Sequence, residues 1–110
     1  MKSFYEMFYI LDRCYEICSE DDLGGLLGAI SPELWGGRPM DWAMYEDWEE
    51  YCHGKGKNLD IIQRIYSFLL MYEEQFGFNF SQTRQVLKSS ISSEHIAAAK
   101  DYAEKMVKDT

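Results

Sequence analysis

The stretch "NLDIIQRIYSFLLMYEEQFGF", residues 58–78, decides the fold, because its apolar residues recur at helical steps and it closes on a glycine. Ile61, Ile62, Ile65, Tyr66, Phe68, Leu69, Tyr72 and Phe76 cover most of a helix surface. Only a narrow polar strip of Asp60, Gln63, Arg64, Ser67 and Glu74 remains. So wide an apolar arc predicts a central, buried helix over 59–76, opened by Asn58 as N-cap and stopped by Gly77 as C-cap.

Upstream, residues 4–18 place Phe4, Met7, Phe8, Leu11, Cys14, Tyr15 and Cys18 at helical steps, with Tyr5, Tyr9 and Ile10 widening the apolar face. Ser3 and Glu6 form a capping-box pattern ahead of them. A short helix is predicted over 22–30, opened by Asp21 or Asp22, whose carboxylates accept unpaired first-turn amides. Its three glycines, with Gly24 and Gly28 on one face, imply a closely approaching backbone or a break. Pro32 ends the segment, and "PELWGGRPM", residues 32–40, reads as a turn-rich connection anchored by Trp35. Asp41 then caps a helix over 42–53. Trp42, Tyr45, Trp48 and Cys52 form its apolar stripe, and Glu46, Asp47, Glu49 and Glu50 turn mostly elsewhere.

"HGKGKN", residues 53–58, reads as a flexible turn between helices. Downstream of the central helix, Ser81 can cap a short helix, and Ser92 or Ser93 a last one over 94–108. The thin stripe of Ile96, Ala99, Tyr102, Ala103 and Met106 predicts that this last helix packs on the outside. No stretch alternates apolar and polar residues with β-branched enrichment, so little or no sheet is expected. The fold expected is all-α: one domain over 1–110, with five or six helices, some short, around the helix at about 59–76.

Size and composition agree with one domain, since 110 residues at 46 % hydrophobic suffice for one core but not two. The longest nearly apolar run, "IYSFLLMY" at 65–72, is far below the roughly 20 residues that cross a bilayer, so no membrane insertion or secretion is expected. Cys14, Cys18 and Cys52 are an odd number in a chain rich in other core-forming residues. That pattern favours a reducing compartment, with the cytoplasm as the default.

The formal charge of −8 is unevenly spread. Residues 1–53 hold twelve acids and three bases, a balance of −9, whereas residues 54–110 hold seven acids and eight bases, a balance of +1. A field of that sign repels phosphate backbones and argues against direct nucleic-acid binding. It attracts a basic protein and speeds the encounter, although acidic surfaces also serve solubility alone.

Catalytic and metal-binding chemistry finds little support in the residue pattern. Cys14, Cys18, Cys52 and His53 would supply four zinc ligands if folding gathered them, but both Cys14 and Cys18 lie in an apolar stripe where thiols act as small hydrophobes. His53 follows Cys52 directly, and neighbours on a helix point about 100° apart, so they are poorly placed to pair as nucleophile and base. His95 falls in a helix's first turn, where a protonated imidazole opposes the dipole; a neutral ring is expected. Glu46, Glu49 and Glu50 share a helical face, yet no carboxylate interrupts an apolar stripe, where a perturbed functional acid is expected. "HGKGKN" lacks the strand and the Gly-Lys-Ser/Thr ending of a phosphate loop. No enzymatic role, cofactor or metal is therefore expected.

The ordered elements "DDLGGLLG" at 21–28, "GGRPMD" at 36–41 and "YEDW" at 45–48, followed by the aromatic helix, resemble small, acidic, helical bacterial immunity proteins of toxin systems. These include the immunity proteins of contact-dependent growth inhibition. The resemblance covers residues 21–78 and rests on glycines, leucines and tryptophans that specify a fold rather than on a catalytic set. "GGRPMDWA" departs from the family's pattern in the connection, where an Asp-Gly turn precedes Pro or Ala-Asp-Pro-Ala. The resemblance implies a protein that binds and neutralises a cognate toxin domain, in many cases a basic nuclease. Asp21, Asp22, Glu46, Asp47, Glu49 and Glu50 would then contact the toxin, with Trp35 and Tyr51 as aromatic anchors. The competing expectation is a helical scaffold or regulatory module that binds a peptide or self-associates through its aromatics.

Overall fold

Residues 1–34, 36 and 41–109 are described by the computed structural model, and all their regular structure is helical. The six helices are α1 (Lys2–Cys18), α2 (Asp21–Ile30), α3 (Trp42–His53), α4 (Ile61–Phe76), α5 (Ser81–Ser89) and α6 (Ser93–Asp109). One buried apolar cluster draws side chains from all six. The fold is thus an all-α bundle.

The helix at its centre is α1 rather than the 59–76 segment. Phe4, Tyr5, Met7, Phe8, Ile10, Leu11 and Cys14 of α1 are buried, and the helix packs on α2, α3, α5 and α6. In α4 only Ile65, Phe68, Leu69 and Tyr72 are buried, and the helix packs on α3 and α5. The physical reason is the width of the apolar arc. Tyr5 and Ile10 extend the arc of α1 round the helix and are fully covered, whereas Ile61, Ile62 and Tyr66 of α4 are only half-buried. Phe76, expected in the core, is 58 % exposed because α4 ends there. Helix α6 presents two small buried residues, Ala99 and Ala103, which let it lie close along α1.

Local signals set most helix ends. Asp41 Oδ1 accepts from the Met44 amide at 3.0 Å, and Gly77 stops α4 in the left-handed region at φ 76°, its amide donating to the Glu73 carbonyl. At the start of α4 the cap is Asp60, whose Oδ1 accepts from the Gln63 amide at 2.9 Å, instead of Asn58. Ser92 and His95 cap α6 reciprocally: the His95 amide donates to Ser92 Oγ at 3.4 Å and the Ser92 amide to His95 Nδ1 at 3.1 Å.

Three other ends differ from the sequence reading. Ser3 lies inside α1, where its hydroxyl accepts from Trp48 Nε1 at 3.2 Å and so fastens α3 to α1 instead of capping. Asp21 and Asp22 stand in the first turn of α2 without a side-chain capping bond, complementing the helix dipole. The amides at the start of α5 are satisfied by distant carboxylates. Glu20 Oε1 accepts from the Thr83 amide and hydroxyl at 2.9 and 2.8 Å, and Oε2 from the Gln82 amide at 3.0 Å. Glu73 Oε1 accepts from the Phe80 amide at 2.7 Å. Glu20 is consequently buried.

The 53–58 turn is held, not loose. Arg64 donates from Nε to the Gly56 carbonyl at 2.9 Å and from Nη2 to the Leu59 carbonyl at 3.0 Å. A Cβ on Gly56 would stand 2.7 Å from the Tyr51 ring, so this close approach requires glycine. Among the three α2 glycines only at Gly24 would an added Cβ meet a neighbour within 4 Å, and that neighbour is the Tyr15 ring rather than backbone.

A candidate protein-binding surface

Helix α3 docks through most of the stripe its aromatic spacing suggests, with Met44 added to the buried face and Trp42 left out of it. Met44 and Trp48 are its buried residues, Tyr45 and Cys52 are half-buried, and Trp42 is 47 % exposed, resting on Tyr45 with ring centroids 4.8 Å apart. Asp47 and Tyr51 face α4, and Glu46 and Glu50, one turn apart, are exposed. Tyr51 is half-buried and meets Phe68 edge-on at 5.7 Å.

Asp47 accepts a hydrogen bond at Oδ2 from the Tyr72 hydroxyl at 2.8 Å. Burial, and then this bond, raise the Tyr72 phenol well above the ordinary tyrosine range. Tyr72 in turn touches the rings of Phe76 and Phe78 at 5.0 and 6.2 Å. Phe76 and Phe78 are both exposed. Beside Phe78, the Asn79 amide donates to Asp22 Oδ2 at 2.6 Å. Asp47, Tyr72, Phe78, Asn79 and Asp22 therefore form one connected series, with acids at both ends and exposed aromatic rings between.

The six predicted acids divide by their engagement. Asp22 holds Asn79, Asp47 holds Tyr72, and Glu49 lies 3.9 Å from the amino group of Met1. Asp21, Glu46 and Glu50 are exposed. Among the described residues none of the six forms an ion pair with Lys or Arg; the three cations that do pair have other partners. Lys2 pairs with Glu104, Arg13 with Asp12 and Glu16, and Arg84 with Glu73. Trp35, the other predicted anchor, lies outside the described residues.

The aromatic pair Phe76 and Phe78 was not predicted as part of this surface. The signal available was the run "FGFNF" at 76–80, in which Gly77 breaks the helix and only Phe80 returns to the core.

The cysteines do not gather with His53. Cys14 is buried and its thiol is pushed up to about 12 by that burial. Cys18 faces Thr83 at 3.9 Å, and Cys52 faces Ser3 at 3.5 Å. His53 turns Nδ1 to the Glu49 carbonyl at 2.8 Å. Among the described residues no group of three or more His, Cys, Asp and Glu could hold a metal ion, and no helix is long and apolar enough to cross a membrane.

No family model, curated protein or solved structure matches the chain.

Proposed function

We propose that this chain is a non-catalytic immunity protein of a bacterial toxin system, which binds a cognate basic toxin domain in the cytoplasm and blocks it. The observation that carries the reading is the connected series from Asp22 to Asp47, in which carboxylates without a Lys or Arg ion-pair partner among the described residues flank the exposed rings of Phe76 and Phe78. Uncompensated charge steers a basic partner and sets the rate of encounter, while desolvated aromatics supply the durable part of an interface. The resemblance of residues 21–78 to small acidic immunity proteins supports the same reading. With acids as the contact groups, nucleic acid is no ligand of this surface, and no cofactor takes part.

The test uses the basic toxin domain encoded beside this chain. Co-expression should restore growth, and association should slow steeply with added salt. The double variant Glu46→Gln with Glu50→Gln, both exposed and so harmless to folding, should cut the association rate about tenfold at low salt. An unchanged rate and affinity would remove α3 from the interface.

A second reading, a scaffold module or homodimer, is favoured by one observation: Trp42 and Leu34 are 47 % and 67 % exposed. Trp48 is already fully buried within one chain, so a dimer would use Trp42 without it. A concentration-independent monomer mass in sedimentation dismisses that reading.

A further inference from the structure

The second half of α3, the turn after it and the C-terminal part of α4 line a cleft of about 320 Å³, at the lower limit of the roughly 300–1,000 Å³ usual for ligand sites. Its size suits one inserted side chain better than a whole small molecule. Two of its lining groups, Tyr51 and Met71, are an aromatic ring and a thioether; Asp47 and Glu50 bring carboxylates. Lys55 and Gln75 complete the charged and polar lining.

The geometry points to this cleft as the subsite for one arginine side chain of a basic protein partner. It rests on the reading given above and deepens it by naming the group inserted. Four features carry it. Asp47 is oriented before any partner arrives, because Tyr72 holds Oδ2 and no donor among the described residues reaches Oδ1. Glu50 is exposed and forms no ion pair among the described residues, so the two carboxylates outweigh Lys55 by one negative charge. Tyr51 is packed against Gly56 and Phe68, which gives a fixed wall for a flat guanidinium and its methylene stem. The turn that carries Lys55 is clamped by Arg64 through the carbonyls of Gly56, Lys57 and Leu59, so the mouth is preformed. Lys55 is then an internal competitor: its ammonium neutralises part of the field that an entering guanidinium needs.

The experiment titrates Nα-acetyl-arginine methylamide into the intact protein and follows the Met71 methyl and Tyr51 ring resonances. The same titration with the citrulline compound removes the charge but keeps the shape, and with the lysine compound keeps the charge but removes the planar fork. Saturable shifts confined to the cleft are expected for arginine, with citrulline weaker by about tenfold or more. Glu50→Gln should weaken arginine about fivefold, and Lys55→Gln should tighten it about threefold, a gain that damaged folding cannot produce. Non-saturating shifts, equal binding of citrulline or of lysine, or weaker binding by Lys55→Gln each overturns the assignment. A toxin that binds while the probe does not removes the subsite and keeps the acidic surface. A probe that binds while no basic toxin does removes the immunity role and keeps the subsite.

Discussion

Glu20 shows how one side chain can end a helix to which it does not belong. Its two oxygens take three donors from Gln82 and Thr83, across 62 and 63 residues of sequence. Glu20→Gln keeps the size but aims an NH2 group at amide donors, and should cost about 2–3 kcal/mol in urea unfolding. A loss below about 0.5 kcal/mol would mean that α5 finds other acceptors. Cys14 has a consequence for pH. Its thiol rises from 9.0 to about 12 in the folded chain, so the neutral form is favoured by folding. That contribution is complete below pH 9 and is lost as pH climbs from there toward about 12. The urea midpoint should therefore fall across pH 9 to 11, and Cys14→Ala should flatten the slope while lowering stability overall. Caps such as Asp41 and Gly77 were legible because donor and acceptor lie within four residues. Glu20 and Ser3 were not, because nothing local distinguishes a carboxylate or hydroxyl that will meet a partner many residues away.

At the level of elements, periodicity located all six helices, with ends within about two residues. It did not rank them. The arc on 59–76 looked wider than that on 4–18, yet two isoleucines and a tyrosine of α4 stay half-covered while Tyr5 and Ile10 of α1 vanish from solvent. The docking face of α3 was legible in Tyr45, Trp48 and Cys52, but not at its first turn, where Met44 is buried and Trp42 is exposed. Two glycine substitutions separate packing from propensity. Gly56→Ala forces a methyl into the Tyr51 ring and should cost about 1–3 kcal/mol by thermal unfolding. Gly25→Ala, exposed within α2 and with no neighbour inside 4 Å, should gain about 0.5–1 kcal/mol. If both destabilise equally, the close approach at Gly56 is not the cause.

For the molecule as a whole, the bias of charge toward residues 1–53 was readable by counting, but its arrangement was not. Of the predicted acids, Asp21, Glu46 and Glu50 are exposed, whereas Asp22, Asp47 and Glu49 also make contacts within the fold. Phe76 and Phe78 escaped notice because an apolar residue beside a helix end reads as core until the end of its supporting helix is known. Removing α6 should abolish cooperative unfolding, since α1 loses the helix it packs on most extensively. Circular dichroism of a chain ending at Ser92 checks this, and a sharp transition would refute it. The pairing of the first helix with the last also fixes when the protein can fold. On the ribosome α1 is made before α6, the helix that covers it, by on the order of ten seconds at roughly 5–20 residues per second. Through that interval the apolar face of α1 lacks its cover, and transiently bare surface of this kind is prone to misassociation.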